Sequence, residues 1–230
     1  MTKTSPKLAL TKNLAGIPGL YIPQQGRSRR AMESVLDNFH ALLKQHPFGK
    51  IPMAEISKAS GVAIGTIYFR FSSKEHLLVA LAEKIIREEI EPAYQKLFAA
   101  NNRPGENLEG FLVAHFEAVS KVFSEYHYLL KPLTLISRET SDKKIRAFVK
   151  TLNGRVHRKL KATLLALAKE ENPGVREESV DLAILMAGAS LREALLYGEP
   201  LSDLVKGRNQ AFLGDLASAL AGYLTANKKG

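Results

Sequence analysis

Residues 53–78 read MAEISKASGVAIGTIYFRFSSKEHLL, two short helical patterns on either side of a glycine turn. Met53, Ile56 and Ala59 share one face of a first helix, Gly61 breaks it, and Val62 and Ile67 anchor a second helix against the first. After a short helix the chain must turn sharply, often through positive φ, and glycine does so without a Cβ penalty. Ser57, small and four residues before that glycine, lets the two helices approach closely. The second helix, about residues 64–71, presents Gly65, Thr66, Tyr68 and Arg70 away from Ile67, a polar and aromatic face suited to a major groove. Ser72 and Glu75 have capping-box spacing, so a third helix begins there and carries Leu77, Leu78 and Leu81 inward. Lys74 then sits in a first helical turn, where free N–H groups and an ammonium suit a backbone phosphate.

Ile56, Ala59, Gly61-Val62, Gly65-Thr66-Ile67-Tyr68, Phe71 and Ser73-Lys74-Glu75 followed by Leu77 resemble the signature of the tetracycline-repressor (TetR) family of bacterial transcription regulators. The resemblance implies an all-α homodimer whose two helix-turn-helix heads bind a near-palindromic double-stranded operator. It also implies a C-terminal helical domain for dimerisation and for a small-molecule effector. Carried onto this chain, it puts Ala63, Ile64, Gly65, Thr66, Tyr68, Arg70 and Lys74 on the DNA side. The chain departs from the family at Ala63 and near Ile51 and Pro52, where hydroxyl residues are usual, which removes side-chain phosphate ligands there.

Composition agrees with such a reading. A chain of 230 residues with 45% hydrophobic content can bury a sizeable core. It has no cysteine, which excludes disulfides and thiolate metal sites and fits a reducing cytoplasm. No apolar run approaches the roughly 18 residues of a membrane span, and no signal-peptide pattern precedes the early prolines, so a cytoplasmic protein without a membrane partner is expected. The net charge of +10 is uneven: residues 1–75 hold 11 Lys+Arg against 4 Asp+Glu, and residues 76–230 hold 22 against 19. A basic balance on and before the helix-turn-helix is the electrostatic footprint of a DNA-contacting end.

Three segments follow. Residues 1–26 carry Lys3, Lys7 and Lys12 among prolines and glycines without periodicity and read as a basic arm. Residues 27–75 are the helix-turn-helix domain, opened by a helix with Met32, Val35, Leu36, Phe39, Leu42 and Leu43 on one face up to Pro47-Phe48-Gly49. Residues 76–230 form the ligand-binding and dimerisation domain. A long helix from Ser72 toward Asn101 should kink at Pro92; further helices are expected over about 106–125, 126–136, 141–170, 175–197 and 207–226, with breaks at Pro132, Asn172-Pro173-Gly174 and Gly198-Glu199-Pro200. No alternating strand pattern occurs, so the class is all-α.

Within that domain, small residues Ala183, Ala187, Ser190 and Ala194 line one stripe and Phe212, Leu216, Ala219 and Tyr223 another; the resemblance implies that Ala183, Ala187, Ala194 and the second stripe form a four-helix dimer interface, and packing within one chain is the alternative meaning of the same pattern. Aromatic-rich middle helices are where the resemblance implies a ligand pocket. Its expected lining is Leu112, Phe116, Phe123, Phe148, Leu152, Met186 and Ser190, with His115 and His127 to orient a ligand. Residues 141–161 hold eight basic residues against Asp142 alone, with Arg146, Lys150, Arg158 and Lys161 on one stripe; a solvated face is the ordinary meaning of such a stripe, and an anionic ligand such as a lipid-like acid or its coenzyme A thioester is the functional one.

Catalysis finds little footing. The six histidines are scattered, none with the spacing that puts two imidazoles on one helix face, and no glycine-rich phosphate loop occurs. Neither a cofactor nor a metal is expected. The function expected from the sequence is an effector-responsive transcription regulator, acting as a repressor. The rivals are a constitutive helical DNA-binding protein and a helical ligand-binding or enzymatic bundle.

Overall fold

A computed structural model describes residues 20–21, 26–101, 107–197 and 209–226. Most of the expected arm, the breaks near residues 102–105 and 198–200, and the start of the last expected helix lie outside these residues. Among the described residues every element is helical apart from one antiparallel bridge between Leu20 and Phe71. The chain forms two compact units, one of residues 1–90 with 128–152, the other of residues 91–127 with 153–230.

The first unit is built on α1 (Gly26–Gln45), whose buried Met32, Val35, Leu36, Phe39 and Leu43 recur at helical spacing and face α2 (Met53–Ser60) and α4 (Lys74–Ile85). A 3-10 turn at Phe48–Lys50 leads into α2, and α3 (Ile64–Arg70) packs on both α1 and α2. Between α2 and α3, Gly61 takes φ 66°, the left-handed conformation the turn demands. Ser57 does more than make room, since its Oγ donates to the Val62 carbonyl across the turn at 2.7 Å. Ala59 is exposed, so Met53 and Ile56 carry the inward face of α2 without it.

The helix after the reading pair starts one residue later than the capping box implied. Ser73 is its N-cap: the Oγ accepts from the His76 N–H at 3.4 Å, and Ser72 stands outside. Leu77 to Ala82 and Ile85 of α4 are all buried, so the head continues into this helix well past residue 75. A π-helical segment, Ile86–Ile90, separates α4 from α5 (Glu91–Asn101). The irregularity lies just before Pro92, which lacks the N–H for an i→i−4 bond, so the expected kink is spread over the preceding turn.

Helix α6 (Leu108–Glu139) is bent at Tyr126, with φ −114° and ψ 20°, and runs on through Pro132. The expected break at Pro132 is therefore absent: the proline forfeits one ladder bond, while buried Leu129 and Leu133 on either side hold the helix to the core. Helix α7 (Lys143–Glu171) begins after Asp142, whose Oδ1 accepts from the backbone N–H groups of Lys144 and Ile145 at 2.8 and 3.3 Å. The second unit closes with α8 (Glu177–Leu191), a π segment at Arg192–Tyr197, and α9 (Asn209–Thr225). Its core joins Leu108, Phe111, Leu112 and Phe116 of α6, Leu164 and Ala168 of α7, Val180, Ala183, Ala187 and Leu191 of α8, and Leu213, Ala217, Leu220 and Leu224 of α9. The buried Asn172 amide donates to the Leu224 carbonyl at 3.1 Å, pinning the α7–α8 turn to the end of α9.

Candidate nucleic-acid interface

Helix α3 is only two turns long, and buried Ile67 fixes which face it shows. Tyr68 is 48% exposed, Ile64 42% and Phe69 69%; Ala63 and Gly65 are also exposed, and Thr66 is half-buried. These residues form a continuous surface of aromatic, aliphatic and backbone groups. Arg70 does not belong to it. Three residues beyond Ile67 a helix returns to within about 60° of the same face, and Arg70 is indeed only 7% exposed, its Nε and Nη1 without a hydrogen-bond partner. The expectation that Arg70 faces outward beside Tyr68 is corrected by this helical phase. The same phase turns Phe69 outward, which the sequence pattern does not single out.

Phe69 is joined by the chain before α1. Leu20 bridges Phe71, the Tyr21 N–H donates to the Arg70 carbonyl at 3.0 Å, and the rings of Tyr21 and Phe69 lie 5.2 Å apart in a tilted contact. Tyr21 is itself 56% exposed. No periodicity around residue 21 signals this docking, because a single bridge has no pattern.

Lys74 is in the first turn of α4, as expected, yet it is not free. Its Nζ donates to the carbonyls of Phe48 and Ile51 at 3.0 and 3.1 Å and lies 4.5 Å from the centre of the Phe48 ring. An ammonium has three donors, so one remains for an outside acceptor. Beside it, the His76 Nδ1 is 3.0 Å from the Ser73 Oγ, and its Nε2 is 3.4 Å from Asp142 Oδ2. The backbone N–H of Lys144, followed by that of Ile145, holds the Asp142 carboxyl below the usual carboxylate range, with His76 adding to the effect.

The residues expected to line a ligand site divide between the units. In the second, Leu112 and Phe116 are buried together and Phe123 packs against the same cluster. His115 is buried beside them, its Nδ1 paired with the Tyr94 hydroxyl and its ring among Phe111, Phe116 and Tyr94. Burial pushes its pKa down to about 4, so the imidazole is neutral, and burial likewise raises the Tyr94 phenol. His127 is on the surface, its Nδ1 turned to the Ser124 carbonyl of its own helix, which removes it from an enclosed lining. Met186 is 37% exposed and Ser190 half-buried. Leu152 is buried and Phe148 half-buried in the first unit.

The expected dimer stripe on α8 is also corrected. Ala183 and Ala187 are 2% and 6% exposed and face the chain's own core with Val180 and Leu191, so they cannot also face a second copy. Their small size serves the close approach of α8 to α9 within one chain. What α8 leaves outside is Leu182, Leu185, Met186 and Ala189, another stripe at i, i+3, i+4 and i+7, with Leu185 62% exposed. On α9, Phe212, Leu216 and Tyr223 lean on the core, Ala194 before it is half-buried, and Ala211, Ala219 and Gly222 are exposed.

Among the described residues no helix is long and apolar enough to cross a membrane. No curated protein matches the chain. The family model for bacterial regulatory proteins of the tetR family matches residues 35–81. Solved structures share the fold over nearly the whole chain. GusR of Salmonella enterica is 20% identical, with a TM-score of 0.57, covering 85% of this chain and 96% of its own. The fatty acid degradation regulator FadR of Bacillus halodurans is 19% identical, with a TM-score of 0.53 and coverage of 90% and 98%. The transcriptional regulator FadR of Bacillus subtilis, in complex with stearoyl-CoA, is 16% identical, with a TM-score of 0.53 and coverage of 86% and 97%. The chain thus carries a segment similar to the tetR-family regulatory proteins across α1 to α4, and its all-helical body has the fold of these solved structures.

Proposed function

We propose that the chain is a repressor that binds a near-palindromic operator as a homodimer and is released by a small apolar or amphipathic effector. The observation that carries the reading is the outer face of α3, where Ile64, Tyr68 and Phe69 stay in water on a helix held rigidly by Ile67 and Phe71. Large apolar groups left exposed in this way mark an interaction surface, and a two-turn helix projecting from a packed pair is shaped for the major groove. Twofold reading needs two such heads about 34–36 Å apart. The apolar stripe of Leu182, Leu185 and Met186, with the small residues Ala219 and Gly222 of α9, supports pairing of two copies through α8 and α9. An effector lodged against the Leu112, Phe116 and Phe123 cluster, oriented by neutral His115 and Tyr94, would favour the arrangement of heads that does not fit DNA; release is then a population shift.

The test is selection of random duplexes by the purified chain, followed by titration of the recovered sequence. Wild type should recover a site with twofold symmetry. Tyr68→Ala should lose most of the discrimination between that site and a scrambled duplex while its melting temperature stays put. Recovery of unrelated sequences would sink the operator reading.

A further inference from the structure

Lys143, Lys144, Arg146 and Lys150 put four cations into eight residues without an acid, at the very start of α7. All four are exposed, and among the described residues none has an ion-pair partner. Ile145, Val149 and Leu152 are buried on the opposite side, which turns the cations to solvent. For Lys143, Lys144 and Arg146 the position is unfavourable: the first turn of a helix carries partial positive charge and prefers anions, and Asp142 alone offsets it. Sequences break local rules of this kind mostly where function requires it.

Two other cations of the long basic run are in a different state. Lys161 is bound by Glu177 and Asp181, and Arg155 by Glu91, so those charges stabilise the second unit internally. Arg138 and Glu139, at the end of α6, cancel each other. The four cations at 143–150 belong to the same compact unit as the helix-turn-helix. Their place there is fixed by the His76–Asp142 contact, which ties the residue immediately before α7 to the first turn of α4, itself three residues after the reading helix.

We infer that Lys143, Lys144, Arg146 and Lys150 form a second contact with the DNA sugar-phosphate backbone, beside the reading helix and independent of base sequence. This rests on the DNA-binding reading above and extends it to a part of the chain outside residues 35–81. Phosphate contacts set affinity and register, base contacts set discrimination, and each phosphate neutralised adds about 0.9 to the slope of log affinity against log salt.

The experiment uses the full chain, a duplex selected by wild type and a scrambled duplex of equal length. The patch variant carries Lys143→Gln, Lys144→Gln, Arg146→Gln and Lys150→Gln. A charge-matched control carries Arg158→Gln, Lys159→Gln, Lys169→Gln and Arg176→Gln, all exposed in the second unit. The patch variant should weaken binding to both duplexes alike, about tenfold or more at 0.15 M salt, and lower the salt slope by about two or more per protomer. Its discrimination ratio should hold, and its melting temperature should stay level or rise, because the clash with the helix end is relieved. The control should keep the wild-type slope. Equal slopes for patch and control variants would overturn the inference while leaving the regulator reading intact. A patch variant that binds DNA like the control but no longer gains thermal stability from coenzyme A would also overturn it, assigning the cations to an anionic small ligand. A wild type that binds neither duplex would instead remove the DNA-binding reading itself.

Discussion

Lys74 illustrates how one side chain can hold the head together and still face a ligand. Two of its three donors are given to the Phe48 and Ile51 carbonyls, closing the turn between α1 and α2 against the start of α4. Lys74→Ala should therefore cost about 1.5–3 kcal/mol of stability, the range for hydrogen bonds to a charged group, besides lowering the salt slope of DNA binding by about one. Urea unfolding and a salt titration separate the two effects; a stability unchanged from wild type would mean the carbonyls are equally well served by water. His115 makes a prediction of a different sort. Burial lowers its folded pKa to about 4 from the ordinary imidazole value of 6.5, so the neutral form is favoured by folding. The associated stability is present above pH 6.5 and is lost as pH falls from there toward 4. Between pH 8 and pH 5 this one group should remove about 2 kcal/mol. Unfolding of wild type and His115→Gln at both pH values gives that difference, and equal pH dependence in the two would contradict a buried neutral imidazole.

At the scale of elements, strongly periodic or glycine-marked features were readable in advance and phase-dependent ones were not. Met32 to Leu43 announce the buried stripe of α1, and Gly61 announces the turn, because apolar spacing and positive φ leave direct marks in sequence. Gly61→Ala should cost about 1–2 kcal/mol, the penalty of a left-handed L-residue, while its surroundings offer no steric clash; a calorimetric shift well below this would mean the turn relaxes. A seven-residue helix gives too few repeats to fix phase at its last turn, which is why the sequence pattern puts Arg70 outward while the fold buries it and exposes Phe69. Ser72 and Ser73 are equally good caps by composition, and only backbone geometry chooses Ser73. Pro132 misled in the opposite way: local propensity favours a break, and burial of Leu129 and Leu133 overrides it. The docking of Tyr21 on Phe69 and the His76–Asp142 contact join residues far apart in sequence, and nothing in a single chain records such pairs.

For the whole molecule the deciding question is which face of α8 and α9 meets a second copy. Small residues suggest helix pairing wherever they occur, but a buried alanine and an exposed one predict opposite outcomes for the same mutation. Leu182, Leu185 and Met186 remain in water at a spacing of one helical face, and each large apolar side chain gains about 1.5–3 kcal/mol on full burial. Two copies related by a twofold axis would bury the stripe twice over. Leu185→Glu should therefore give a chain with wild-type helicity and melting behaviour that sediments as a monomer and binds the selected duplex at least tenfold more weakly, since one head must then hold DNA alone. Ala187→Glu should behave differently: a carboxylate driven into the cluster of Phe111, Leu112 and Leu213 has no partner there, and the chain should lose its cooperative unfolding transition before assembly is at issue. A folded, dimeric Leu185→Glu protein would move the interface off this face, and a folded monomer from Ala187→Glu would return it to the alanine stripe.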